Sequence, residues 1–458
     1  MQESASAGVA GSAASQPYPK PMVAWYATIA MAFLYWLSIL DRFIISLLVE
    51  PIKRDMNITD FQFSLLHGMA FAITYSLFGL AAGALADRYS RRWIIFGSVA
   101  IWSAATAACG AAVHYWQLLF ARVGVGAGEA GLNPSATSIL TDLFPKDRLT
   151  TAMAVFTIGA TIGSGTAYFF GGMIVDLVAQ TPSYMLPIIG EIRSWQAVFF
   201  VIGIPGMLLA FIVFSFPEPV RRNVRDGLNT DSPWRGVLNS YRKLLAFIGT
   251  QKRFFAHHYV GFALGSMVMS GSAIWYPAHM ARTFGWSPGE IGLWLGSVVV
   301  VSAISGKMLC GFMVDRMYRR GYRDGQFRWF AGCMVVATPV GIAAMMATSP
   351  WIFLGLLGIF LALMAALPAC YSASLNLATP NELRGTGIAF FAGTAGLIGM
   401  GSGPLLIAAV SDLVFGEGSI GAGMATVIAA CCPLGALVLA TGCKAMSSAV
   451  RDLEAKTQ

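Results

Sequence analysis

Between residues 22 and 446 the chain alternates long apolar segments with short polar connections. Each segment holds about twenty mainly apolar residues, the length that carries a helix across about 30 Å of hydrocarbon. Spans are expected near 22–49, 61–86, 93–112, 116–143, 150–179, 194–216, 253–281, 289–313, 327–348, 351–378, 385–413 and 419–446, twelve in all. Only 11% of the 458 residues are charged, against about 25% in a soluble domain. Too little polar surface remains to face water. The sequence therefore predicts an all-α membrane protein with twelve transmembrane helices. The first span is too long for a signal-peptide core and lacks a small-x-small site after it, so it is expected to stay in the protein.

A net charge of +8 and a pI near 9.2 raise the question of nucleic acid. The placement of the charge answers it. With both termini on one side, only Lys53, Arg54, Arg193 and Arg282 fall in segments on the other side, and Arg42, Arg122 and Lys307 fall within spans. The remaining Lys and Arg mark a single membrane face. That is the positive-inside pattern, so both termini are expected to be cytoplasmic and no nucleic-acid partner is expected. The cysteines (Cys109, Cys310, Cys333, Cys370, Cys431, Cys432 and Cys443) all lie in apolar segments without metal-ligand spacing. They read as small buried hydrophobes, with no metal and no cofactor implied.

The polar stretch 217–252 divides the spans into two sets of six. The expected layout is a disordered cytoplasmic tail over 1–21, a bundle over 22–216, a cytoplasmic linker over 217–252, a second bundle over 253–446 and a tail over 447–458. Internal similarity supports the division. Gly83-x-x-x-Asp87-Arg88-x-x-Arg91-Arg92 after the second span recurs as Gly311-x-x-x-Asp315-Arg316-x-x-Arg319-Arg320 after the eighth. Phe144-Pro145-Lys146-Asp147-Arg148 has a counterpart in Thr379-Pro380-Asn381-Glu382-Leu383-Arg384, and Asp176-Leu177-Val178 in Asp412-Leu413-Val414. Repeated halves suit alternating access to a site between them near the midplane. With tails this short, no soluble appendage of the kind a sensor or scaffold would carry is expected.

Gly126-Ala127-Gly128-Glu129-Ala130-Gly131 spells a dinucleotide fingerprint, but inside an apolar helix with no preceding strand. Close helix packing explains it better, as for Gly79-x-x-x-Gly83, Gly159-x-x-x-Gly163 and Gly292-x-x-x-Gly296. No nucleophile elbow, zinc pattern or phosphate loop occurs, so no enzyme is expected. Counted at 1.5 Å per residue, Asp41, Arg42 and Arg122 all fall roughly 9–12 Å below the outer surface. Glu129 lies two turns beyond Arg122 on nearly the same face, close to the midplane. Charges there must be paired or wet, which leaves two readings: an ion pair fixing two helices, or a proton and anion site. Lys307 can snorkel from the cytoplasmic third of its span. His67, His257, His258 and His279 lie near span ends and read as interfacial.

The two Gly-x-x-x-Asp-Arg-x-x-Arg-Arg copies resemble the cytoplasmic signature of the major facilitator superfamily, which implies two pseudo-symmetric six-helix bundles. By that resemblance Asp87, Arg88, Arg91, Asp315, Arg316 and Arg319 are gate latches. Helices 1 and 4 meet at the central cavity of such proteins, which makes an Asp41–Arg122 pair the expected contact. Leu40-Asp41-Arg42-Phe43, Ala121-Arg122-Val123-Gly124-Val125-Gly126-Ala127-Gly128-Glu129-Ala130, Asn133-Pro134-Ser135 and Gly163-Ser164-Gly165 look like the Spinster family of lysolipid and sphingosine-phosphate transporters. This resemblance implies an amphipathic, usually anionic single-chain lipid as substrate, with protons as coupling ion in some members. Asp41 and Glu129 would then carry protons, while Arg42 and Arg122 would hold the headgroup. Trp275 and Tyr371 are candidates for the cavity wall. Gly163-Ser164 departs from the Gly-Pro of the antiporter signature and gives antiport no support. A bacterial inner-membrane monomer among membrane lipids is expected; a drug or small organic anion is the alternative substrate.

Overall fold

The computed structural model describes residues 17–86, 88–187, 190–222, 233–416 and 418–457, and among these nearly all backbone is helical. The helices are α1 (Pro21–Leu47), α2 (Val49–Met56), α3 (Asp60–Ser64), α4 (Ala70–Ala86), α5 (Arg91–Gly110), α6 (Tyr115–Glu129), α7 (Leu132–Leu143), α8 (Lys146–Ala179) and α9 (Ser194–Leu209). After a hairpin of β1 (Ser183–Leu186) and β2 (Gly190–Arg193), which precedes α9, the linker forms α10 (Pro233–Thr250). Then follow α11 (Lys252–Ala273), α12 (Trp275–Phe284), α13 (Pro288–Arg319), α14 (Gly325–Met345), α15 (Pro350–Met364), α16 (Leu367–Ala378), α17 (Asn381–Gly396), α18 (Gly403–Val410) and α19 (Ile420–Thr457). Joined across short breaks, the spanning helices make twelve rods in two bundles, as the sequence predicts. Ten are long and apolar enough to cross a membrane as single helices. Rods four and seven fall outside that set; rods four, seven and ten are each divided.

Proline explains the divisions. It lacks the N–H that would bond the carbonyl four residues earlier. Pro134 releases the carbonyl of Ala130 where α6 ends, Pro277 that of Ala273 where α11 ends, and Pro368 that of Met364 where α15 ends. The Ala273 carbonyl finds a new donor in the other bundle, the Tyr168 hydroxyl at 2.8 Å. Rods two and eleven continue through π-turns instead, Leu65–Met69 and Leu397–Ser402.

The bundles meet along two glycine-lined crossings. Gly165 and Gly172 of α8 face Gly296 and Gly292 of α13, and a Cβ on any of the four would strike backbone across the seam. The two π-turns cross at Gly68, where a Cβ would strike the carbonyl of Met400. Farther along the same two rods, Gly79, Gly83, Gly393 and Gly396 meet nothing within 4 Å. The expected packing role of Gly79-x-x-x-Gly83 therefore has no partner helix in this conformation. Gly126 and Gly128 do pack as expected, against Phe71 and Thr74 of α4 and Trp102 of α5.

Sequence boundaries shift in two places. The stretch 217–252, read only as a polar linker, contains helix α10, whose Tyr241, Leu244 and Phe247 pack toward Phe390, Gly387 and Phe255. Helix α19 runs on to Thr457, past the expected end of the last span. Residues 1–16 of the expected tail lie outside the described residues.

Candidate functional site

The site is built on α1, which brings Ser38, Asp41 and Arg42 against rods two, three and four. Asp41 is 1% exposed, Arg122 0% and Glu129 2%. Three buried charges side by side need partners. Glu129 Oε2 accepts from Ser38 Oγ at 2.8 Å and pairs with the Arg42 guanidinium. Asp41 Oδ2 accepts from Thr106 Oγ1 at 2.5 Å. The expected Asp41–Arg122 pair is thus replaced by Arg42–Glu129. Arg122 exerts an electrostatic pull on Asp41 without reaching hydrogen-bond distance. The reason is rotational: matched depth along two helices says nothing about which faces meet.

Four polar side chains in the cluster keep unused capacity. Among the described residues, all three guanidinium nitrogens of Arg122, Nε of Arg42, Oδ1 of Asp41 and Oε1 of Glu129 have no hydrogen-bond partner. Phe71 supplies the floor, its ring 4.6 Å from the Arg42 guanidinium carbon and 5.9 Å from that of Arg122; Tyr75 lies 5.2 Å from Arg42. Aromatic faces stabilise cations without consuming N–H donors. Two donor forks and two half-satisfied carboxylates can therefore accept an oxyanion and exchange protons.

His67 belongs to this cluster, although the sequence reading leaves it at the interface. It is 7% exposed, lies within electrostatic reach of Arg42 and Arg122, and sits on the π-turn one residue before the Gly68 crossing. Depth counting of the kind used for Arg122 would have found it.

The second bundle contributes less. Tyr371 is half-buried, its ring tilted against that of Phe391 with centroids 4.5 Å apart, and its carbonyl lies 3.1 Å from His258 Nε2. Trp275, expected at the cavity wall, is fully buried instead. Its Nε1 donates to the Pro404 carbonyl at 3.3 Å, and its ring faces Phe63 of the other bundle at 6.1 Å. It is part of the contact between bundles, where the Pro277 break turns it inward.

The expected gate residues divide sharply. Asp87 lies outside the described residues, and Arg88 is exposed. Arg91 is fully buried and pairs with Asp142 and Glu218, with Nη2 donating to the Pro219 carbonyl at 2.8 Å. It ties rods three and four to the chain leaving rod six, all within one bundle. In the second copy Asp315, Arg316 and Arg319 are exposed and form no ion pair among the described residues. Between bundles the charged ties lie at the opposite end. Arg282 of α12 donates to Glu50 Oε1 at 2.7 Å and to both oxygens of Asp60 at 2.6 and 2.7 Å, and Lys53 adds a contact to Asp60 at 2.5 Å.

Partial burial pushes the Glu218 carboxyl up, but hydrogen bonds from Ser90 and from the amide and guanidinium of Arg91 outweigh it and hold it below the usual glutamate range. A carboxyl depressed on folding stabilises above its unfolded value and loses that contribution as pH falls through its folded value. The melting advantage of the native chain over Glu218→Gln is expected to be full at neutral pH and to vanish on acidification. A pH-independent advantage would mean that Glu218 acts through packing.

Comparison with known proteins accords with this architecture. The chain is 28% identical over 434 residues to an MFS-type efflux pump of Mycolicibacterium smegmatis, covering 91% of this chain and 92% of that one. It is 23% identical to protein spinster of Drosophila melanogaster over 65% of this chain, a match that spans only 46% of that protein. A hexuronate transporter of Bacillus subtilis is 25% identical, over 79% of this chain and 83% of that one. Among solved structures, a bacterial homologue of the human lysosomal transporter Spinster, inward-facing and unoccupied, superposes with a TM-score of 0.76 at 24% identity, covering 94% of this chain and 98% of that one. The model of the Major Facilitator Superfamily matches residues 31–404. On that match and this fold, the chain belongs to the Major Facilitator Superfamily of membrane transporters.

Proposed function

We propose that this transporter moves an anionic, amphipathic single-chain lipid by alternating access, with protons as the coupling ion. The observation that carries the reading is the buried Arg42–Glu129 pair beside Asp41 and an Arg122 whose guanidinium has no protein partner. A phosphate headgroup satisfies two planar donor forks by bidentate bonds. Once Glu129 takes a proton its hold on Arg42 weakens, and Arg42 becomes free for the headgroup. The half-buried rings of Tyr75 and Tyr371 offer apolar surface to the acyl chain. The end rich in Arg88, Arg91, Arg316 and Arg319 is cytoplasmic by the positive-inside rule, in a bacterial inner membrane. The tied end at Arg282 is then the outer gate in its closed form, and the bundles 22–216 and 253–446 rock about the site. A single chain contains both bundles and hence the whole pathway.

The names of two relatives, an efflux pump and a hexuronate transporter, favour a second reading in which the cargo is a drug or a small organic anion. Proteoliposome uptake separates the two. A lysophospholipid panel is expected to be transported and to compete with itself; transport of a hexuronate unaffected by lysolipid would reject the lipid reading.

A further inference from the structure

Rods eight and ten approach along a seam of small residues. Ser302, Gly306 and Cys310 recur every fourth residue on α13 and so share a face. Ser302 Oγ donates to the Gly358 carbonyl at 2.9 Å, and a Cβ on Gly306 would strike the backbone of Ala362. One turn on, Cys310 Sγ lies 4.0 Å from the Ala366 carbonyl and 3.6 Å from Cys370 Sγ. The partner residues Gly358, Ala362, Ala366 and Cys370 keep the same four-residue step, but the helix does not run through them unbroken. Helix α15 ends at Met364 and α16 begins at Leu367, where Pro368 removes a backbone donor. The first contacts hold α15; the sulfur pair alone reaches well into the half-helix beyond the break. That half-helix carries Tyr371.

We propose that Cys310 and Cys370 form an oxidisable thiol pair, a covalent modification site that staples half-helix α16 to α13. The oxidant is a hydroperoxide. One thiol sulfur attacks the peroxide, the O–O bond breaks, an S–O bond forms and water or an alcohol leaves, giving a sulfenic acid. The second sulfur then attacks the first, the S–S bond forms, the S–O bond breaks and water leaves. Two thiols have given up two electrons and two protons, and the peroxide has accepted them. A dithiol reverses the step by exchange. Both sulfurs are buried, at 1% and 2% exposure, so small uncharged hydrogen peroxide reaches them more readily than a bulky thiol does. The sulfurs are 3.6 Å apart, and an approach of about 1.5 Å brings them to bonding distance. The staple removes the freedom of α16 to turn about the Ala365–Ala366 break.

The test uses the full chain in proteoliposomes treated with hydrogen peroxide, then denatured and alkylated. Peptide mass spectrometry is expected to find Cys310 linked to Cys370, with Cys109, Cys333, Cys431, Cys432 and Cys443 alkylated. Amide exchange across Leu367–Ala378 is expected to lose its fast fraction on oxidation and regain it with dithiothreitol. Cys310→Ser, and independently Cys370→Ser, are expected to show neither the link nor the change in exchange. Sulfinic or sulfonic acids without a link would overturn the pairing; a link with unchanged exchange would overturn the staple.

Discussion

Arg122→Lys is expected to lose most transport while keeping its positive charge. Arg122 is fully buried with three nitrogens free of protein partners, above the Phe71 ring. A lysine ammonium is a point charge and cannot present two parallel donors to a phosphate. Losing one charge-assisted hydrogen bond removes about 2 kcal/mol, roughly a thirtyfold fall in kcat/KM. Flux of a lysophospholipid, normalised to folded protein, reads the effect. Because Arg122 makes no ion pair among the described residues, the melting temperature is expected to change little. Full flux in this variant would reduce Arg122 to a source of positive field, and a large drop in melting temperature would assign it to the fold.

Arg282→Gln is expected to open the end of the molecule that is tied here. Arg282 donates to Glu50 and to both oxygens of Asp60, whose side chain is wholly buried. Breaking such a buried contact costs about 3 kcal/mol, roughly a hundredfold shift between conformations if the opposite state makes no equivalent contact. Lys53 still partners Asp60, so the variant is expected to fold. Spin-label distances between the Asp60 end of rod two and the Arg282 end of rod seven should lengthen. Asp60→Asn in the same background should add little, because the pair is already broken. Unchanged distances would assign the closure to the remaining contacts between bundles, among them the glycine crossings at Gly172–Gly292 and Gly68–Met400.

Much of this was legible before any coordinates. Apolar length and charge placement suffice to count spans, because the bilayer imposes both. Membrane depth also singled out Asp41, Arg42, Arg122 and Glu129, since few residues of this kind are tolerated there. What depth cannot supply is rotation about each helix axis. That is why Arg42, not Arg122, meets a carboxylate, and why Trp275 turned out to lie in the contact between bundles. The π-turn at Leu65–Met69 adds a residue to one turn, so no regular period reveals that His67 faces the two arginines. The duplicated motif could not disclose its own inequivalence either. Arg91 is buried and paired whereas Arg319 is exposed, because only the first copy has Asp142 and Glu218 at hand.

On the proposed function, the carboxylates beside Arg42 and Arg122 convert a proton gradient into movement of an anionic lipid. Glutamine at 129 can still accept from Ser38 and Arg42, and asparagine at 41 from Thr106, so both neutral variants retain the contacts of the protonated acids. The decisive measurement is lysophospholipid flux with and without a pH gradient, in proteoliposomes of matched content, for the native chain, Glu129→Gln and Asp41→Asn. The gradient is expected to accelerate flux in the native chain and to leave the two variants unaffected, although they still bind lipid. An undiminished gradient response in both variants would contradict this reading and leave the carboxylates as structural partners of the arginines.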